Sequence, residues 1–400
     1  MSRTAIIGAG VTGVLTAYHL DRHRHQVCLF DKNEQAAMET SFANGGQISA
    51  SNAEVWNNWH TVRSAFKSMF GPDAPLKIGA KPDRHKLSWF TEFAYEGLRQ
   101  AKNTERLVRM ALRSRERLRD IARLEQIDFD MRESGLMHVH RTKTQFETAA
   151  RANKVFNASG LERRAVTPDE IRALEPALAG DYYGGFYTPG DFSGDVHKFT
   201  QGLLAICRDE RVETRFGVGV IDISSVGGTI RISLDTGEDM TFDNVVICAG
   251  VGSRRLAAML GDRVNVYPVK GYSLTLDIAP DTAKEDVPNV ALLDDAAKIV
   301  TSRLGQRVRI AGLAEFRGAD LSIDPARAAV LERWAKNHFP RLVSEHTTTW
   351  TGLRPMMPSM TPTVGPGRKK GVFYNTGHGH LGWTLSAGTA EAIAEIVDET

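Results

Sequence analysis

Three features predict an α/β fold: a Rossmann-like dinucleotide-binding domain built from discontinuous segments, plus a second domain with a mixed, largely antiparallel β-sheet and helices. An apolar strand, a glycine turn and a helix open the chain. Short strands at hairpin-like spacing fill its middle, and strand, glycine turn and helix return at the carboxyl end. At 400 residues and 42% hydrophobic content, the chain can bury one large core or two smaller ones.

The opening element is "TAIIGAGVTGVLTAYHL", with Gly8, Gly10 and Gly13 in G-x-G-x-x-G spacing and Ala17 and Leu20 continuing one helical face. Gly8 permits the tight turn, Gly10 lets backbone approach a pyrophosphate, and Gly13 lets helix and strand pack closely. Free N–H groups and the positive end of the helix dipole then face the phosphates. A second strand, "QVCLF", ends at Asp31, followed by Lys32. Asp31 is placed to accept hydrogen bonds from a ribose diol, which argues against NADP but leaves NAD and FAD open. Next comes "ETSFANGGQISASN" (39–52), on the carboxyl side of that strand, where ligands of open α/β sheets bind. Its Thr40 and Ser41 can donate hydroxyls to phosphate, and Gly45 and Gly46, before Gln47, can let backbone lie against a flat ring.

Residues 55–126 read as helix-rich, with Trp56, Trp59, Phe66, Phe70, Trp89, Phe90 and Phe93 among interrupting prolines. Those aromatics fit either buried helix packing or a peripheral membrane contact. Over 104–126, Leu107, Ala111, Leu118 and Ile121 share one face, and the arginines around them read as a solvated surface with i,i+4 pairs. Strands are expected at 135–141, 183–189, 266–278, 298–303 and 307–312, with hairpin-like spacing that suggests a mixed or antiparallel sheet. A helix within 193–253 leads to "NVVICAG", a further parallel member of the nucleotide sheet that runs into Ala249 and Gly250. The nucleotide domain is therefore assigned to 1–60, 193–262 and 350–400, and the second domain to 61–192 and 263–349.

The carboxyl end carries "NTGHGHLGWT" (375–384), in which Gly377, Gly379 and Gly382 keep backbone bare before a helix starting near Thr384. A reduced flavin carries negative charge that a helix amino terminus stabilises, whereas nicotinamide chemistry has no comparable anion. An ordinary αβ connection is the alternative. His378 and His380 lack the neighbouring carboxylate or cysteine of a metal site, so no metal is expected. In "TWTGLRPMMPSMTPTVG" (349–365), Arg354 stands between Leu353 and Pro355 in an apolar setting. A buried arginine there must either pair with a protein carboxylate or grip a substrate carboxylate.

Composition narrows the class. A formal charge of +2 offers no nucleic-acid footprint. Cys28, Cys207 and Cys248 are isolated in apolar runs, which suits a reducing cytoplasm. "MSRT" runs straight into a strand, so no signal peptide is expected, and no stretch reaches the ~20 apolar residues of a membrane span.

Together "ETSFANGGQIS", "GDVHKFTQ", "YPVKGYSLT", "TWTGLRPMMP" and "NTGHGHLGWT" resemble the bacterial D-amino acid dehydrogenase small-subunit family, of the FAD-dependent D-amino acid oxidase fold group. The similarity runs from the first strand to the last helix. It implies FAD bound in extended form and oxidative deamination of D-amino acids to 2-oxo acids and ammonia. Hydride would pass from Cα to flavin N5 without an obligatory side-chain base, and electrons on to a quinone or another respiratory acceptor. By the resemblance, Gly8, Gly10, Gly13, Asp31 and Lys32 hold the nucleotide, and Ser41, Gly45, Gly46 and Gln47 line the pyrophosphate and flavin ring. Val220 meets adenine, Ala249 and Gly250 flank the cofactor, and Gly379, Leu381, Gly382 and Thr384 approach the flavin N1 edge. Arg354 holds the substrate carboxylate, Tyr272 and Tyr187 wall the pocket, and His380 joins the catalytic group. Ser359 and Met360 stand where the family carries an Asp-Gly pair, which leaves the preferred amino acid open. Dehydrogenation of cis-4-hydroxy-D-proline or another cyclic D-imino acid, an O2-using oxidase, and a non-catalytic flavin-binding subunit of a larger complex are the alternatives. A cytoplasmic protein that touches the inner membrane face, with or without a partner subunit, is the expected setting.

Overall fold

The computed structural model describes residues 1–57, 74–81 and 83–400. Its first sheet has the spatial order Thr363–Pro366, Val372–Thr376, Asn244–Ile247, Arg3–Ile7, Gln26–Asp31, Glu213–Phe216. All neighbours are parallel except the first pair. The strands are apolar on both faces because both are covered. Ile6, Leu29, Val246 and Phe373 pack with the helices Val11–Arg22, Val196–Glu210 and Gly382–Asp398. The alternate residues Ala5, Ile7, Phe30 and Ile247 pack against a three-stranded antiparallel sheet within residues 220–242. Strands far apart in the chain thus build one nucleotide-type layer.

The second sheet runs Ser344–Met356, Tyr267–Ile278, Arg307–Phe316, Ile299–Leu304, Ala291–Asp294, Leu136–His140, Gly184–Thr188, Arg164–Val166, with Leu76–Ile78 beside Arg307–Phe316. It is largely antiparallel, with two parallel pairings. All five strands expected in the middle of the chain are present. Ser344–Met356 pairs with Tyr267–Ile278 from one end to the other. Residues 350–356 therefore belong to this sheet, and a boundary at 350 cuts a continuous strand. The helix Pro325–His338 covers the far face through Leu331, Trp334 and Ala335.

The helix Gln100–Leu124 buries Leu107, Ala111, Leu118 and Ile121. Its arginines are more than a wetted surface. Arg113 and Arg117 both meet Glu391 of the carboxyl-terminal helix, and Arg115 reaches the fully buried Asp191 at 2.9 Å. Trp89 is buried among Phe90, Phe93, Tyr267 and Phe316, so these aromatics serve helix packing. Trp59, Phe66 and Phe70 lie outside the described residues. The three cysteines are free and buried, and burial pushes each thiol up to about 12. Among the described residues no helix is long and apolar enough to cross a membrane.

Candidate active site

A cavity of about 1580 Å³ reaches from the glycine turn at Gly8 and Gly10, past the carboxyl ends of the parallel strands, to Arg354 on the second sheet. At the first end, Gly8 holds φ +106, and a Cβ there would lie 2.6 Å from the Cys248 carbonyl oxygen. A Cβ on Gly13 would lie 1.8 Å from the Gly8 oxygen, so Gly13 does not face the cavity but seats the helix on the strand. Gly10 begins that helix without a side-chain cap. Ser41 Oγ accepts from Val11 N at 3.1 Å, which puts its hydroxyl at the positive helix end. Asp31 is fixed by Ala9 N at 2.7 Å and by both nitrogens of Asn33, and its remaining lone pairs suit a diol. Val220, Ala249 and Gly250 line the same end. Lys32 also borders it, but its Nζ pairs with Glu39 at the surface. A bare glycine cradle, a helix amino terminus and a fixed carboxylate fit the pyrophosphate and ribose of a dinucleotide.

The loop 39–52 lines the cavity and also meets a demand that its composition did not show. A Cβ on Gly45 would lie 2.6 Å from Val300 Cγ2, and one on Gly46 (φ +71) 3.1 Å from Leu304 Cδ2. The missing side chains thus make room for the second sheet, although both residues border the cavity. Thr40 donates to Leu353 O at 2.8 Å rather than waiting for phosphate. Gln47 Nε2 donates to Leu292 O and Thr301 O, while its buried Oε1 has no partner.

At the carboxyl loop, Gly377 (φ +78) and Gly379 (φ +61) turn the chain into the helix beginning at Gly382, again without a side-chain cap. Leu381 is a core residue, and Thr384 accepts from Ser49 N at 3.0 Å. Their side chains hold the two glycine loops together and do not line the cavity. His378 is buried against Thr389. His380 stacks on Trp56, with ring centroids 4.4 Å apart, and its Nε2 lies 3.3 Å from Asn52 O, so Nε2 carries the proton and Nδ1 a lone pair. Burial pushes its pKa down to about 3, hence the ring is neutral. Among the described residues no group of three His, Cys, Asp or Glu is poised to hold a metal.

Arg354 occupies a corner made by three strands. Its Nη1 donates to Leu313 O at 2.7 Å and its Nη2 to Gly312 O at 3.3 Å. A bulge in Arg307–Phe316, with Leu313 at φ +59, supplies these adjacent carbonyls. A Cβ on Gly271 would lie 2.5 Å from the guanidinium carbon, so that glycine leaves the space the cation fills. Among the described residues no carboxylate lies within 4.0 Å of it, and burial lowers its pKa only to about 10. A buried ion that has lost its partner costs about 3–5 kcal/mol. Carbonyls alone leave this cation short of a counter-charge.

Tyr272 borders the cavity, but its side chain turns away from Arg354. Arg354 is paired with Val269, so Val269 and Gly271 share its face and Tyr272 points the other way. Its hydroxyl lies 3.5 Å from Glu315 Oε2, above the buried Glu315–Arg327 pair. It borders the cavity wall without presenting its ring beside Arg354. Tyr187 donates to Ser134 O and does not line the cavity. The Ser359 and Met360 departure preserves a turn. Ser359 Oγ accepts from Thr361 N, and Met360 adopts φ +59, a conformation glycine enters more easily.

The sequence did not reveal a polar lobe at the same cavity, lined by Glu54, His138, His140, Arg163 and Asp295. His138 bridges Asp295 Oδ2 at 3.0 Å and Ser51 Oγ at 3.2 Å. The available signal was a pair of histidines in an otherwise apolar strand, "LMHVH".

Residues 3–396 match the model of a family described as FAD dependent oxidoreductase. D-amino acid dehydrogenase 3 of Mesorhizobium japonicum is 48% identical over 99% of this chain and 97% of its own. D-amino acid dehydrogenase of Dechloromonas aromatica is 39% identical over 99% and 96%. The crystal structure of glycine oxidase from Geobacillus kaustophilus superposes with a TM-score of 0.80 at 21% identity, over 100% of this chain and 95% of that one, and shares the fold. The chain belongs to the FAD dependent oxidoreductase family and, within it, to the D-amino acid dehydrogenases.

Proposed function

We propose that the protein oxidises D-amino acids at Cα, giving an imino acid that water converts to a 2-oxo acid and ammonia. FAD, when bound, supplies the acceptor for the hydride that leaves Cα. Gly8, Gly10, Ser41 and Asp31 would hold its nucleotide end, and the loops at Gly46 and Gly379 its ring. Arg354 fixes the substrate carboxylate through a planar pair of N–H donors, which also sets the angle at which Cα is presented. His380 does not act as an acid near neutral pH, since its ring is neutral; with Trp56 it forms a wall beside the arginine. The helix beginning at Gly382, which has no side-chain cap, would favour negative charge on a ring held at that loop.

The observation that carries this reading is Arg354, charged, held by two carbonyls and lacking a carboxylate. The test is the visible spectrum of the purified protein, followed by anaerobic addition of D- and L-amino acids. Bleaching of a yellow protein by D-substrates alone is the expected result; a colourless protein, or bleaching by L-substrates, contradicts it. The electron acceptor is proposed to be a membrane quinone. Leu87, Tyr95 and Leu98, 69%, 60% and 78% exposed, supply apolar side chains for such a contact. Reoxidation by a soluble quinone should outpace reoxidation by air.

A further inference from the structure

The polar lobe beside Trp56 holds a buried cation, Arg163, that among the described residues has no carboxylate in contact, only the more distant charges of Asp295, Glu54 and Asp191. Arg163 precedes the edge strand Arg164–Val166 and is 4% exposed, whereas its neighbour Arg164 faces solvent. Its guanidinium lies between the rings of Phe156 and Phe186, 5.1 and 4.9 Å from their centroids. Those faces attract a cation but accept no N–H in the guanidinium plane. Among the described residues Arg163 has no ion pair within 4.0 Å, and its Nε is buried without a hydrogen-bond partner. His140 Nε2, in the same lobe, is also buried without a partner among the described residues.

The other charges there are occupied or unsuited to the role. Asp295 is held by His138 at 3.0 Å and faces Lys298 at 3.9 Å. Among the described residues Glu54 has no hydrogen bond, but burial, and then the charge of Asp295, push its carboxyl above the usual range toward the neutral form. His138 and His140 are kept neutral by burial. The lobe is continuous with the Arg354 corner. His380 stacks on Trp56, Lys298 lies over the Trp56 ring at 5.5 Å, and Lys298 faces Asp295, all along one cavity wall.

We propose that Arg163 is a specificity residue that receives an anionic group at the end of the substrate side chain, so that D-amino acids with a side-chain carboxylate are favoured. This rests on the reading that Arg354 takes the α-carboxylate. The two arginines then divide one dicarboxylate, and His140 offers a neutral ring nitrogen to the distal group. A neutral amide of the same shape fills the lobe but leaves the Arg163 charge unmatched.

The test compares D-glutamate with its near-isostere D-glutamine on the holoenzyme, with D-alanine as a third substrate. In the unaltered enzyme kcat/KM for D-glutamate should exceed that for D-glutamine by about tenfold or more, the discrimination usual for a charge left unpaired. Arg163→Met should bring this ratio to about one or below, and Arg163→Lys should retain part of it. A ratio measured on one sample cancels any loss of folded enzyme. D-alanine oxidation without preference for D-glutamate overturns this inference alone, as does an unchanged ratio in Arg163→Met, which would mean that Arg163 serves Glu54 or packing. If no D-amino acid reduces the flavin, the parent reading falls with it.

Discussion

The two ends of the cavity are built in opposite ways. The nucleotide end is compact in sequence: Gly8, Gly10 and Gly13 lie within six residues, Gly13 answering a steric demand made by Gly8 and Gly8 one made by the end of the adjoining strand, while Gly10 leaves the helix start bare. The Arg354 corner is assembled from residues 271, 312, 313 and 354, whose relation exists only through sheet register and one bulge. Conformational demands on the backbone therefore mark the first end in the sequence, whereas the second end becomes visible only once strands are paired.

Breaking the local end should have the largest effect. Gly13→Ala places a methyl 1.8 Å from the Gly8 oxygen, inside a contact that cannot open without moving the helix. We expect a loss of at least about 3 kcal/mol, read as a lower Tm and loss of bound FAD in the visible spectrum. Arg354→Lys should leave the spectrum intact while kcat/KM for D-amino acids falls about 100-fold or more, because a lysine cannot reproduce the planar pair of donors. Gly271→Ala tests the corner without changing its charge. The new methyl would meet the guanidinium at 2.5 Å, and displacing it should cost between about 10- and 100-fold in kcat/KM at full FAD occupancy.

A smaller effect concerns both ends together. Burial lowers the pKa of His19, His140 and His378 to about 4 and that of His380 to about 3. The unfolded chain takes up these protons near pH 6.5, and the folded chain refuses them until much lower pH. Stability from these histidines is thus complete above about pH 6.5 and is lost as pH falls toward 4. Tm should drop between pH 7 and pH 4.5; a flat profile would show that the rings are solvated. The smallest effect is reserved for Tyr272→Phe. It removes a long contact to Glu315 on the face away from Arg354, so kcat/KM should stay within about twofold.

Tyr272 also shows how far the sequence could be read. The strand holding it and a mixed or antiparallel sheet were evident from pattern, and its place at the pocket with Arg354 came from the family resemblance. Its facing was not, because a one-residue step exchanges the two faces, and only the pairing of Val269 with Arg354 fixes the phase. Gly45 and Gly46 were singled out for a flat ring, but a second demand on them was hidden: their space is also filled by Val300 and Leu304, which lie about 250 residues onward. Arg163 went unnoticed because adjacent arginines look alike until an edge strand sends one inward and the other to solvent.

The central claim is that Arg354 recognises the substrate through its carboxylate, and it can be tested without altering the protein. Reduction of the bound flavin should be followed anaerobically with D-alanine and with D-alaninamide, which differs only at that group. D-alaninamide is expected to need a concentration about 100-fold higher or more for half-maximal reduction. Equal concentration dependence for the two compounds would contradict the account.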